Sequence, residues 1–296
     1  MILVTGATGF VGSQVVARLS RRGVPVRALT RSPEKALRLS AQPGVTAAVG
    51  DLGQPATLAE ALRGVTRAML ISSSAPEMQD VQASFVDAAR KAGVRHIVKL
   101  SGIMPERDSA FRFARMHGEI EKIIEESGVP WTHLRAGEFF HAYFRQAANV
   151  AGKGILPLAM GSARIASVDI GDIAEAAAMI LTAAAGSEHE GRIYPLTGPD
   201  ALTMAEVAER LSRAIGKEVR YVDVPPEDAR KARLAAGMTP YMADALGELF
   251  TERRAGKESR VWPTLSEVFG LRPTSFEEFV LRNAAVFRGE APAPRF

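Results

Sequence analysis

Near the N-terminus, Thr5-Gly6-Ala7-Thr8-Gly9-Phe10-Val11-Gly12 sets three glycines where a strand would turn into a helix. Each spacing has its own use. Gly6 permits a tight turn, Gly9 lets the backbone approach a pyrophosphate, and Gly12 lets helix and strand pack closely. The N–H groups that open the helix then offer partial positive charge to the phosphates. The pattern predicts a dinucleotide site built on Gly6, Thr8, Gly9, Phe10, Val11 and Gly12; the alternative is a glycine-rich turn that only joins two elements. At the end of the second predicted strand, an NAD site usually places an acid for the ribose hydroxyls. This chain reads Leu29-Thr30-Arg31-Ser32 there, with Lys35 one helical turn later. A guanidinium at that point can pair with a 2′-phosphate. Arg31 and Lys35 therefore point to NADP(H), the alternative for Arg31 being a solvated surface charge. Asp51 and Leu52, just past the third predicted strand, are placed either to cap an adenine or, for Asp51, to cap a turn or helix.

Other chemistries lack their residues. There is no cysteine, which excludes disulfides, thiolate nucleophiles and cysteine-ligated metals. The five histidines are scattered without metal-ligand spacing, and no metal is expected. No Gly-x-Ser-x-Gly elbow of a hydrolase occurs. The 37 basic and 33 acidic residues leave a net charge of +4 spread along the chain, and aromatics make up only 6%. A nucleic-acid binder would more often carry a basic stripe with interleaved aromatics, so a small-molecule partner is expected instead. No apolar run reaches the ~18 residues of a membrane span. The first residues, MILVTGATGF, lack the basic start of a signal peptide, and a cytoplasmic protein is expected.

The elements that must position these residues are legible in the first half. Ile2–Val4, Val24–Leu29, Val45–Val49, Ala68–Ile71, His96–Leu100 and Trp131–Leu134 read as strands, separated by helical patterns. Strands alternating with helices make βαβ crossovers, and hence an α/β, Rossmann-type, doubly wound parallel sheet. Beyond about Phe139 the pattern loosens. Gly152, Gly154 and Pro157 read as a loop, Asp172–Ala185 as an alanine-rich helix, and the stretch from Thr203 as mainly helical with a strand at Val219–Val222. Met238, Tyr241, Met242 and Leu246 form an apolar stripe that is either core or the roof of a cleft. The expected domains are residues 1–153, with 164–185 packing back onto them, and a smaller, mainly helical substrate domain over 154–296. An apolar helix face near the C-terminus is compatible with a homodimer.

The glycine triplet, Arg31, Gly50-Asp51-Leu52, His96-Ile97-Val98-Lys99-Leu100-Ser101 and Gly128-Val129-Pro130-Trp131-Thr132-His133-Leu134-Arg135 together resemble the NmrA-like, atypical short-chain dehydrogenase/reductase family. The likeness continues through Val168-Asp169-Ile170-Gly171-Asp172-Ile173-Ala174 and Tyr221–Pro225, and within the family it is nearest to bacterial triphenylmethane-dye, azo-dye and quinone reductases. It implies an NADP(H)-binding domain with a substrate cleft, and it adds Ser72, Ser73, Ser101 and His117 to the cofactor-binding set. Typical short-chain dehydrogenases have a serine near the end of the fifth strand and a Tyr-x-x-x-Lys pair on the next helix. By the resemblance, Ser101 takes the serine position, His117 the lysine position and Phe113 the tyrosine position. Phe113 has no proton to give, which argues against ordinary ketone chemistry. An acceptor that is cationic or strongly electron-poor needs little acid help. For it, His117 and Ser101 are the expected catalytic residues, His117 serving as proton donor or ribose ligand or lying idle on the surface, with Glu121 one turn away to orient its ring. Gly137, Glu138, Phe139, Phe140 and Tyr143, after the sixth strand, are expected to shape the substrate pocket, although core packing explains the aromatics almost as well. The implied activity is NADPH-dependent reduction of a flat, electron-poor molecule; the alternative is a non-catalytic NADP(H)-binding redox sensor.

Overall fold

The computed structural model of the protein describes residues 1–294; residues 295–296, which end the expected second domain, lie outside them. The chain divides into two compact units, made of 1–108, 113–135 and 170–195, and of 109–112, 136–169 and 196–296.

The first unit carries β1 (Ile2–Val4), α1 (Phe10–Arg21), β2 (Val26–Thr30), α2 (Pro33–Ser40), β3 (Val45–Val49), α3 (Pro55–Ala61), β4 (Arg67–Leu70), α4 (Met78–Lys91), β5 (His96–Gly102), α5 (Arg112–Glu126) and β6 (Trp131–Ala136). Its strands lie in the order β3-β2-β1-β4-β5-β6, and β1 pairs in parallel with both β2 and β4. The order reverses at β1, which opens a crevice at the carboxyl ends of β1 and β4. Strands covered on both faces read as unbroken apolar runs; Leu3, Val4, Ala68, Met69, Leu70, Ile97 and Val98 are all fully buried. On α1, Val11, Val15, Val16 and Leu19 fall on one face and are buried. Ser32 caps α2 by accepting from the Lys35 N–H, with Pro33 at its first position.

The second unit contains a 3-10 helix over Phe140–Gln146, then α6 (Ala147–Lys153), β7 (Ile155–Leu158) and β8 (Arg164–Ile165). The chain then returns to the first unit for α7 (Ile170–Thr182) and β9 (Arg192–Leu196), and β9 becomes the seventh strand, beside β6. The second unit resumes with β10 (Leu202–Thr203), α8 (Met204–Ile215), β11 (Arg220–Asp223), α9 (Pro226–Ala235), α10 (Pro240–Arg254), α11 (Thr264–Glu267), α12 (Phe276–Arg282) and α13 (Ala284–Arg288). Its core gathers Phe140, Tyr143, Phe144, Leu156, Met204, Leu211, Phe276, Phe279 and Phe287.

Three boundaries differ from the sequence reading. Apart from 109–112, the second unit begins at Ala136 rather than 154, because the aromatic run after β6 packs into the second core. The returning segment is Ile170–Pro195 rather than 164–185 and brings the missed strand β9 with it. The expected loop at Gly152–Pro157 is half strand: Gly154, in the left-handed region at φ 61°, ends α6, and Pro157 sits in β7, which among the described residues pairs only with β11. Proline is tolerated in so short an outer strand. The stripe Met238, Tyr241, Met242 and Leu246 is half-buried instead of core, since the fully buried members of α10 are Ala243, Ala245 and Arg253. Among the described residues, no helix is long and apolar enough to cross a membrane.

Candidate functional site

The glycine turn closes as its spacing predicts. Gly6 adopts φ 58°, and its carbonyl accepts from the Gly9 N–H at 2.9 Å. A Cβ on Gly12 would lie 2.2 Å from that same carbonyl oxygen, so only glycine lets α1 start so close to the strand end. The N-terminus of α1 has neither a capping side chain nor an acid in its first turn. An anionic ligand therefore meets partial positive charge there without a competing carboxylate. Thr5 Oγ1 donates to the Ile71 carbonyl at 2.7 Å, tying the end of β1 to the end of β4 across the crevice.

Around this turn the remaining predicted residues take distinct positions. Arg31 and Lys35 are exposed, and Arg31 has no hydrogen bond or ion pair among the described residues. Asp51 Oδ1 accepts from the Gly53 N–H at 2.9 Å, so it serves as a turn cap, and half-buried Leu52 lies beside it. Ser72 Oγ accepts from Gln82 Nε2 at 2.8 Å, which fixes the chain just past β4, while Ser73 is exposed.

At the carboxyl end of β5 the structure brings together Ser101, His117 and a residue the sequence reading passed over, Lys99. Ser101 is buried and its Oγ has no hydrogen-bond partner among the described residues. Half-buried His117 projects from α5 against Gly102, where a Cβ would lie 3.1 Å from the imidazole Cδ2. Lys99 is fully buried, and its Nζ lies 2.9 Å from His117 Nδ1 and donates to the Leu100 carbonyl at 3.0 Å. The expected role of Glu121 is overturned: instead of orienting His117, its buried carboxylate is clamped by Arg135, with a shortest contact of 2.6 Å. A lysine between Val98 and Leu100 in a buried strand, two residues before Ser101 and so on the same sheet face, was the available signal.

Burial pushes the Lys99 ammonium down to about 7, with the Glu121 charge pulling the other way. Burial, and then the neighbouring Lys99 charge, hold His117 well below the usual histidine range. His133 on β6 stacks on Trp131 at 4.3 Å between ring centroids, bonds Glu125 at 3.2 Å and is pushed by burial to about 3. It is a neutral structural histidine. Glu121, Glu125 and His133 bring ligand atoms within 4.8 Å of one another, but the Arg135 guanidinium already occupies the Glu121 carboxylate.

The segment expected to shape the pocket is mostly committed to the second unit's own packing. Phe140 packs on Phe276 and Phe279, and Tyr143 on Phe276, and both are buried, so neither ring is available to stack on a substrate. Gly137 is buried where a Cβ would meet the Ala166 carbonyl oxygen at 2.5 Å. Glu138 is paired with Arg253 at 3.0 Å, and Phe139 is half-buried.

The family model for the NmrA-like family matches residues 1–280. The chain is 38% identical to an NAD(P)H azoreductase of Xenophilus azovorans, over 97% of this chain and 99% of that one. It superposes on the crystal structure of an NADPH-dependent quinone oxidoreductase from Escherichia coli complexed with NADPH, with a TM-score of 0.86 and 33% identity, covering 96% of this chain and 99% of that one. The triphenylmethane reductase of Citrobacter sp., complexed with NADP(H), gives a TM-score of 0.85 at 29% identity, covering 96% of this chain and all of that one (100%).

Proposed function

The chain belongs to the NmrA-like family, and from that premise we propose that it is an NADPH-dependent reductase delivering hydride directly to a flat, electron-poor small molecule. Quinones, imines or iminium ions, conjugated dyes and enones are the acceptors in view. The azo, quinone and triphenylmethane acceptors in the relatives' names share that electron deficiency. The observation that carries the reading is the buried Ser101 hydroxyl, partnerless among the described residues, at the end of the strand whose Lys99 bonds His117, in the same unit as an uncapped glycine turn.

The residues present fit NADP(H). The turn Gly6–Gly12 with Thr8, Phe10 and Val11 would hold the pyrophosphate, Arg31 and Lys35 the 2′-phosphate, and Asp51 and Leu52 the adenine. Ser72, Ser73, Ser101 and His117 would hold the nicotinamide end. When bound, the reduced nicotinamide supplies a hydride. The chain's own task is to fix cofactor and acceptor in register, and positioning of that kind is worth ~7–11 kcal/mol. Phe113 is buried apolar surface, so the position that carries a tyrosine in typical short-chain dehydrogenases contributes no proton. His117 Nε2, which has no partner among the described residues, is the proposed side-chain donor at this strand end. Glu138 and Phe139 remain the members of the Gly137–Tyr143 segment proposed to face substrate. A cytoplasmic protein without cysteine fits the same reading.

The direct check compares wild type with His117→Ala on a quinone. The expected outcome is a lower kcat or a raised KM for NADPH. Unchanged values for both would remove His117 from the site.

A further inference from the structure

Lys99 is not accounted for by cofactor binding, and its surroundings are unusual for a buried cation. Leu100 offers its carbonyl and His117 its Nδ1, and among the described residues no carboxylate bonds the Nζ. The groups that face it are His117 and Glu121 from α5 and His133 from β6. Glu121 is already held by Arg135, and His133 is neutral. On β4, apolar Leu70 is its partner in register. The acids of α7, which also packs on β5, are Asp172 and Glu175, and Glu175 is held by Arg18 and Arg22. An ammonium in this place is desolvated and only weakly compensated, which favours loss of its proton.

A lysine that donates to Nδ1 also fixes the histidine. A neutral imidazole carries one proton, and with Nδ1 accepting, that proton is on Nε2. Resting on the reductase reading, we propose that Lys99 is the proton store of the site and a positioning residue for His117, so that the proton completing the reduction of a neutral acceptor starts on Lys99 Nζ and leaves from His117 Nε2. As the Nε2 proton passes to the acceptor, Nζ gives its proton to Nδ1. The imidazole stays neutral with its proton moved from Nε2 to Nδ1, and Lys99 is left as a neutral amine that accepts from Nδ1–H. One hydride and this one proton convert N=N to HN–NH, or a quinone to its hydroquinone. Water then protonates Nε2 while Nδ1–H returns its proton to Nζ. A tyrosine is not needed, because the acid is a lysine whose burial makes it a competent donor near neutrality.

The proposal separates acceptors by their proton demand. A cationic triphenylmethane dye is neutralised by hydride alone, whereas an azo or quinone acceptor also takes a proton. Lys99→Met should lower turnover on the azo or quinone acceptor about tenfold more than on the cationic dye. Lys99→Arg, which keeps a donor to Nδ1 but does not release its proton, should show the same bias. In wild type, kcat on the neutral acceptor should fall as pH rises through about 7, with no matching fall on the dye. Equal losses on both acceptor types would make Lys99 structural and overturn the relay. A readout independent of turnover uses the wild-type chain without cofactor. The ring ¹⁵N shifts of His117 and the ¹³Cε shift of Lys99 are followed by NMR across neutral pH. The expected result is an Nε2–H tautomer below the Lys99 transition and a lysine titrating at about 7. An imidazolium at mildly acidic pH, or a lysine still charged well into the alkaline range, would overturn it. If no acceptor is turned over at all, the reductase reading fails, and the NMR result alone decides whether Lys99 holds the proton.

Discussion

Among the described residues each unit buries one long cation, and the two are treated in opposite ways. In the first, Lys99 is fully buried, and its partners among the described residues are a carbonyl and an imidazole. In the second, Arg253 is just as hidden, yet Glu138 reaches it at 3.0 Å and Glu258 at 2.8 Å. Burial works against the Arg253 charge, but the two carboxylates outweigh it and raise its pKa further. For Lys99 burial prevails and the proton is loosely held. A buried cation with matched anions is a fixed part of the packing; one without them is a group that can exchange its proton.

The largest expected effect breaks the compensated side. Arg253→Met leaves Glu138 and Glu258 facing each other without a cation, and should cost ~3–5 kcal/mol in chemical denaturation. A loss below ~1 kcal/mol would mean that the triad is dispensable and the contrast with Lys99 has no structural basis.

The next effect sharpens the uncompensated side through pH. Lys99 titrates at 10.5 in an unfolded chain and at about 7 in the folded one. Between those values the unfolded chain binds the extra proton, so this group's contribution to stability rises with pH. Relative to Lys99→Met, wild type should gain roughly 3 kcal/mol in denaturant titrations from about pH 7 to about pH 9.5. A flat difference would show that Lys99 is not desolvated.

Arg31 adds a third kind of cation, one exposed to water and without a partner among the described residues. Arg31→Ala should weaken NADPH binding by ~1.5–3 kcal/mol, the range for a hydrogen bond to a charged group, and leave NADH nearly unchanged. Equal loss for both cofactors, by fluorescence titration, would refute the 2′-phosphate assignment. The smallest structural change is Gly12→Ala. Its methyl would meet the Gly6 carbonyl, and overpacking of that kind should cost ~1–3 kcal/mol, together with affinity for either cofactor.

These contrasts also mark what the sequence could disclose. The glycine turn and the parallel sheet were legible because each rests on local pattern: glycine spacing and apolar runs of strand length. Strand β9 was not, since its first two residues, Arg192 and Ile193, are exposed and its place is set by pairing at the sheet edge. The Phe140–Phe144 segment has the composition of a flat-ligand pocket, and nothing local tells a stacking ring from a core ring. Lys99 and Arg253 are alike in sequence terms. Only tertiary structure shows that two glutamates surround one and that Glu121, the acid near the other, is committed to Arg135.

The central claim is tested most directly by anaerobic oxidation of NADPH, followed at the nicotinamide absorbance, against quinones, cationic dyes, imines and enones, with NADH alongside. Turnover on at least one acceptor class with NADPH strongly preferred is the predicted result. Tight NADPH binding with no turnover on any acceptor would contradict it and make the protein an NADP(H) sensor.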